Sequence, residues 1–586
     1  MYIDVIPNRS SPPAILVRES YRGEDGRVKK RTLANISDWD PLVIEGLRVL
    51  FKGGHASSKA LEEQFEVQRS LPHGHVAAVL GTLRQSGLHN IVERRSGRQR
   101  ALAMALIAGR ILFPSSKLAL SRQLDPATAS CTLGEELGLG EVDEQDLYGA
   151  MRWLLERQGK IEGRLAKEHL AEDSAVLYDL TSTYYEGSTC PLAEFGKDRD
   201  KKSGKRQINF GLLCSCAGCP VSVKVFPGST GDPATVAGQL QTLRERFGLQ
   251  RIILVGDRGM LTNARIEALR QEEPHSYGWI TALRAEQIRK LADSGVLQLE
   301  LFDQRDLAEI TSEELFPGER LVVCRNPALA EERRRKRQEL LAATEEKLQT
   351  IAAACRRRRA PYHGKDKIAR RVERECAKYK MLKHFELHIT ETSLEFSRRQ
   401  EAIAREQALD GIYVVRAGRV PEAQMDASGV VATYKSLSKV ERAFRTIKTT
   451  LLHVRPIFHR QEDMVRSHIF ICMLAYYVQW HMESKLKPAL FHDEVSGGAP
   501  RPSPVAKARR SERAESKAAS KQAEDGQPLH SLQSLLNDLA TLCRLALRPE
   551  IDGAKPFHKL TQPSPVQAKA LDLLGVTPKA IPACSQ

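Results

Sequence analysis

Three acidic residues stand out by their neighbours. Asp179 follows the apolar run AVLY, Asp257 follows RIILVG, and Glu441 is the single acid among five basic residues in YKSLSKVERAFRTIKTTL, residues 434–451. Carboxylates are the hard oxygen donors that Mg²⁺ prefers. Two such ions, roughly 3.5 to 4 Å apart, can activate a water or a 3′-hydroxyl for in-line attack on a phosphodiester. Three carboxylates suffice to hold the pair. Each acid also has an ordinary reading: Glu441 as partner of Arg445 in a helical ion pair worth a few tenths of a kcal/mol, and Asp179 and Asp257 as helix caps or turn residues. The readings part on whether the fold brings the three together.

Glu441 falls beside an apolar stripe of Leu437, Val440, Phe444, Ile447 and Leu451, whose spacing predicts an amphipathic helix. Arg445 and Lys448 share its edge of that helix. Residues 173–300 carry three strand candidates, AVLYDLTST, QINFGLLCS and PVSVKVFPG. A helix with Val236, Leu240, Leu243 and Phe247 on one face follows, then a fourth strand, RIILVGDRG. A right-handed crossover makes the fourth strand parallel to the first. Asp179 and Asp257 are then expected to end neighbouring strands at one carboxyl edge, in the α/β arrangement of a ribonuclease-H-like core.

The remaining segments are arranged around that core. Residues 301–405 read as a mainly helical insertion: a helix with Leu341, Thr344, Leu348, Ile351 and Cys355, a turn, a helix with Ile368, Val372, Cys376 and Tyr379, then short strands at FELHI and SLEFS. The core resumes over 406–495 with GIYVVRAG, the Glu441 helix and an apolar helix around HIFICMLAYYVQWHM. Residues 1–172 form an N-terminal α+β region, a small β-meander followed by helices. Residues 496–528, rich in Pro, Ala, Ser and charge, read as a disordered linker, and 529–586 as a helix and tail.

A chain of 586 residues with a net charge of +16 has room for several domains and favours a polyanionic partner over a neutral small molecule. The tip of the predicted helical hairpin concentrates that charge in Arg356, Arg357, Arg358, Arg359, Lys365, Lys367, Arg370 and Arg371, a solvated face or a nucleic-acid contact. The longest apolar run, Ile469 to Trp480, is too short to cross a bilayer, and the start lacks a signal-peptide pattern, so a cytoplasmic protein is expected. Eleven cysteines fit reduced thiols. Cys214, Cys216 and Cys219 in LLCSCAGCPVSV have no histidine at ligand spacing and read as hairpin cysteines, not zinc ligands.

Taken together, these motifs resemble the bacterial insertion-sequence transposases of the DDE class, in the group marked Y-x2-R-x3-E-x6-K. Tyr434, Glu441 and Lys448 stand at the pattern's places, and Leu437 stands where it has Arg. YDLTSTYYEG, GDRGMLT with Arg258 after the acid, and HVRPIFHRQEDMVRSHIFICMLAYY also look like this family. The resemblance implies cut-and-paste DNA transposition by cleavage and strand transfer at insertion-sequence ends. Asp179, Asp257 and Glu441 would bind two Mg²⁺ ions, with Mn²⁺ as a substitute, and there would be no covalent protein intermediate. It further implies contacts to double-stranded DNA, both transposon ends and target, by Tyr434 and Lys448 and, after the second acid, Arg258; the helix reading adds Arg445, and the local basic charge adds Lys435 and Lys439 on the Glu441 segment and Arg357 and Arg358 at the hairpin tip. End binding by the N-terminal region, a homodimeric synaptic complex and a place near the bacterial nucleoid follow in the same way. A nuclease that cuts without joining and an inactive DNA-binding remnant are the alternatives.

Overall fold

Alternating apolar and polar residues at the N-terminus form an antiparallel sheet of β1 (Tyr2–Ile6), β2 (Ala14–Arg22) and β3 (Val28–Asn35) in a computed structural model of the chain. The structure describes residues 1–586 except 9–11, 54–63, 198, 200–203, 272–276, 298–301, 304–305, 495–503, 507–508, 551–554 and 581–586. Val17 of β2 is buried with Ile36 and with Ile44 of the helix Pro41–Phe51. That helix starts where the Asp40 carboxylate accepts the Leu42 N–H at 2.7 Å. β4 (Phe65–Pro72) closes this part of the chain.

The next elements build a mixed sheet of eight strands. β5 (Ala175–Tyr184), β6 (Gln207–Ser215) and β7 (Pro220–Pro227) run antiparallel in sequence. The helix Asp232–Gln241 crosses over, β8 (Ile253–Val255) returns parallel to β5, and β9 (Gly278–Ala282) lies parallel to β8. β6 is buried along its whole length, as a central strand covered on both faces must be.

β10 (Leu307–Ser312) and β11 (Phe316–Arg325) extend the sheet beyond β9, so the segment expected to be mainly helical opens with two strands. The long helix Pro327–Cys355 and the helix Lys365–Cys376 follow, then the hairpin of β12 (Phe385–Ile389) and β13 (Leu394–Arg398). Leu341, Leu348, Ile351, Ile368, Val372 and Cys376 bury a small core of their own there. β14 (Ile412–Gly418) enters the large sheet between β11 and β9. β15 (Cys543–Pro549) and β16 (Phe557–Leu560) complete a three-stranded sheet with β4.

Two compact units result: Met1–Leu71 with Cys543–Thr561, and Pro72–Leu542 with Gln562–Gln586. The division differs from the sequence boundary at 172. The helix Glu462–Leu486 is apolar nearly all round, and the helices Arg98–Leu112 and Glu144–Glu156 pack on it together with β7, which draws them into the larger unit. Residues expected in the disordered linker also fold in part. Ser511 caps the helix Glu512–Ser520, and Lys517 is buried with its ammonium on Glu494 at 2.8 Å. Residues 496–503 and 507–508 of that linker lie outside the described residues. No single helix among the described residues is long and apolar enough to cross a membrane.

One buried ion network ties the added strands to the sheet. Glu319 on β11 accepts from Arg416 of β14 at 2.5 Å and from Arg270 at 2.6 Å, while Arg416 also donates to Asn263 Oδ1 at 2.6 Å. Removing one partner of a buried pair strands the others without compensation. Glu319→Ala is therefore expected to cost about 3–5 kcal/mol, read as a lower denaturant midpoint. Glu309→Ala, which removes the more exposed partner of Arg320, is expected to cost less than about 1 kcal/mol. Equal shifts for the two variants would contradict this ranking.

Candidate active site

The shortness of β8 opens the sheet at one place. Its last parallel pair is Leu177 with Val255, and two residues further along the two strands stand Asp179 and Asp257. Asp179 does not end its strand, as the sequence led us to expect: it is the fifth of ten residues in β5, which keeps pairing with β6 as far as Tyr184. The strand that stops is β8. At Asp257 the chain leaves the sheet in a turn, its carbonyl accepting the N–H groups of Met260 and Leu261. Asp179 Oδ1 accepts the Leu180 N–H at 2.8 Å, and Asp257 Oδ1 accepts the Arg258 N–H at 2.7 Å.

Glu441 arrives from a separate helix, Leu437–Arg445. Val440, Ala443 and Phe444 form its buried side, and the Phe444 ring meets Phe210 edge-on at 5.5 Å. Phe210 is the register partner of Thr181 and so lies on the same sheet face as Asp179. Glu441, one turn before Phe444, is exposed at the rim of this contact. The sequence reading of one helix over 434–451 needs correction. A helix Ala427–Lys435 carries Tyr434, Ser436 and Ser438 bond back to the carbonyls of Ala432 and Lys435 at the break, and a π-helical turn, Thr446–Thr450, ends the run. That wider turn rotates Lys448 inward, where it is buried, and leaves Arg445 exposed.

Asp179 lies in the field of the other two carboxylates. Burial raises the pKa of Asp179 to about 7; the Leu180 N–H opposes the rise, Asp257 and Glu441 add to it, and Arg199 offsets part of it. Tyr434 lies within the same field: burial, then Asp257, Glu441 and Asp179 push its hydroxyl to about 12 against the pull of Arg258. As hard oxygen donors Asp179, Asp257 and Glu441 suit a divalent cation, although they do not form a set whose oxygens all lie within 4.8 Å of one another.

The other expected contacts separate into groups. Arg258 lines a cavity of about 630 Å³ that also borders Asp257 and Tyr434. Lys435 is engaged within the chain, its ammonium donating to the carbonyls of Pro504, Val505 and Ala506 at 2.5, 2.8 and 3.2 Å. Lys439 donates to the Cys216 carbonyl at 2.7 Å. Arg357 and Arg358 are exposed just past the end of the long helix, roughly 30 Å along it from the part that borders the cavity.

Several residues at the site escaped the sequence reading. Arg289, Arg333 and Lys336 line the same cavity, the last two from the run EERRRKR, whose charge density was the available signal. Arg199 pairs with Asp232, and the Oδ2 atoms of Asp232 and Asp257 lie 3.7 and 3.5 Å from where a Cβ on Gly259 would sit. No sequence pattern marked that fourth acid. A second cavity, of about 850 Å³, is lined by Arg110, Lys117, Arg152, Arg455 and Arg460 and by no acid.

The raised Asp179 carboxyl sets a pH dependence. Folding opposes its ionisation, so the penalty is absent below the ordinary value of 3.8, grows as pH rises, and is complete above about 7. In metal-free buffer the thermal midpoint of the wild type should fall between these limits relative to that of Asp179→Asn, which carries no charge. Parallel curves for the two proteins would refute the assignment.

The family model described as "Transposase DDE domain" matches residues 171–478, more than half of the chain. The model described as "IS1634 family transposase, N-terminal domain" matches residues 3–64. No curated protein matches the chain. Among solved structures, a piggyBac transposase synaptic complex with hairpin DNA is similar at a TM-score of 0.34 and 10% identity, over 80% of this chain and 76% of that one. The two family matches cover different segments and agree in kind: the chain belongs to the insertion-sequence transposases with a DDE catalytic domain.

Proposed function

We propose that this transposase cuts the DNA strands at the ends of its insertion sequence and joins them to a target, with Asp179, Asp257 and Glu441 as its metal-binding triad. Transposases of this family act on DNA with the help of a divalent metal. The observation that supports the assignment is the placement of acids from β5, the turn after β8 and the helix Leu437–Arg445: Asp179 and Asp257 stand two residues beyond the last parallel pair, and Glu441 precedes Phe444, whose ring meets Phe210 on the Asp179 face of the sheet. The triad would hold two Mg²⁺ ions, and Mn²⁺ would substitute. When bound, such ions supply Lewis acidity and charge neutralisation at a scissile phosphodiester.

The chain's own side chains would do the rest. Tyr434 keeps its proton and can donate to a phosphate oxygen beside the triad. Arg258, Arg289, Arg333 and Lys336 line one cavity with Asp257, a cationic bed for the sugar-phosphate chain next to the cut. Arg445, exposed one turn beyond Glu441, would reach the same backbone, and Lys448 would add its charge from beneath. The Arg199–Asp232 pair flanks Asp179 and Asp257 and would hold them in position. Lys435 and Lys439, already bonded to carbonyls, serve the fold in this scheme. At roughly 30 Å along the long helix, Arg357 and Arg358 would meet DNA about nine base pairs away.

We further propose that the unit Met1–Leu71 with Cys543–Thr561 recognises the transposon ends and that two chains pair in the synaptic complex. Within the larger unit, the strands and crossover from β5 to β9 would be the ribonuclease-H-like core, with residues from β10 to β13 inserted before the Glu441 helix.

The deciding experiment supplies pre-cleaved end DNA, a plasmid target and Mg²⁺. Wild-type protein is expected to insert the ends, and Asp257→Ala to lose cleavage and joining while still binding DNA. Cleavage without insertion would identify a hydrolytic nuclease, and wild-type protein that binds but never cuts would identify a remnant.

A further inference from the structure

The fold assembles a second set of ligand-type side chains that the DNA chemistry does not use. His169 ends the helix Gln158–His169, Cys219 follows the tight turn between β6 and β7, and His481 projects from the helix Glu462–Leu486. Their donor atoms all lie within 4.8 Å of one another. Cys219 is 1% exposed. The Nε2 atom of His481 is buried and has no hydrogen-bond partner among the described residues, although a buried imidazole nitrogen normally has one. The Tyr477 hydroxyl bonds His169 Nε2 at 3.0 Å, the kind of contact that orients a ligating imidazole.

The donor chemistry is opposite to that of the carboxylates. One sulfur and two imidazoles form a borderline-soft set, suited to zinc and poorly suited to Mg²⁺. Tetrahedral zinc with Zn–N near 2.0–2.1 Å and Zn–S near 2.3 Å places its donors about 3.4 Å apart. The cluster therefore needs to close by at most about 1.4 Å, within the reach of side-chain rotation. The position is also distinct. The β6–β7 turn begins after Ser215, the partner of Val176, whereas Asp179 pairs with Leu212, three residues and about 10 Å further along the strand. The histidines lie 50 residues before and 262 residues after Cys219, which is why the spacing around LLCSCAGCPVSV revealed no partner.

We propose that His169, Cys219 and His481 bind a zinc ion that fastens the β6–β7 turn to the two helices, with water in the fourth position. On binding, the Cys219 thiol gives up its proton to solvent and the thiolate takes the metal in its place. The site reinforces the sheet edge opposite the added strands β10 and β11.

Metal analysis of the purified full chain tests this, with Co²⁺ as an optical probe. About one zinc per chain is expected, and Co²⁺ should produce a near-ultraviolet thiolate-to-metal band. Cys219→Ser and His481→Ala should each lose both signals. Cys216→Ser and Asp257→Ala should keep them, which separates this site from the neighbouring thiol and from the carboxylate triad. If Cys219→Ser fails to fold, His169→Ala and the wild-type zinc content still decide. Wild-type protein without stoichiometric zinc and without the band, or a band that survives in Cys219→Ser, overturns the proposal.

Discussion

The proposed approach of three carboxylates to one edge of a sheet, where Asp179 is buried, is the constraint on which the account depends. Like charges repel, and burial further penalises Asp179, while Asp257 and Glu441 are exposed, so nothing in the carboxylates themselves favours their meeting. The fold must hold them together by other means. It does so with the central strands β5 and β6 and with a helix pinned through Phe444 to Phe210. The positive charge that would relieve the strain is expected from outside the chain, which links folding, metal affinity and catalysis in one place.

The same logic orders the cations. A site for polyanionic DNA needs positive charge close by, but a guanidinium that neutralised the triad directly would compete with metal. Arg199 meets both needs, because it is paired with Asp232 while still acting on Asp179. Arg258, Arg289, Arg333 and Lys336 line the neighbouring cavity, where phosphates would lie. The long helix Pro327–Cys355 thus contributes twice, through its early turns at the site and through the exposed arginines beyond its end.

Much of this arrangement is legible in the sequence because strand and helix periodicities are local. The apolar runs around Asp179 and Asp257, the crossover helix between them and the stripe beside Glu441 each mark an element, and topology rules then place the two aspartates at matching positions beyond a parallel strand pair. What the sequence did not disclose depends on how an element stops or turns. Nothing in AVLYDLTSTY says that β8, not β5, would end at the site. A π-helical turn moved Lys448 from the exposed edge to the interior, a phase shift that no fixed period anticipates. Lys435 and Lys439 were read by charge alone, and their acceptors are backbone carbonyls, invisible to any residue pattern. Asp232 and the histidines around Cys219 escaped for a related reason, since their proximity is created only by the tertiary fold.

The central claim is that Asp179, Asp257 and Glu441 share divalent ions, and anomalous diffraction from crystals of the full chain grown with end DNA and Mn²⁺ examines it most directly. Two manganese peaks roughly 3.5 to 4 Å apart, bounded by oxygens of all three side chains, are expected. Well-ordered manganese bound elsewhere, with the three carboxylates pointing apart around the DNA, would contradict the assignment.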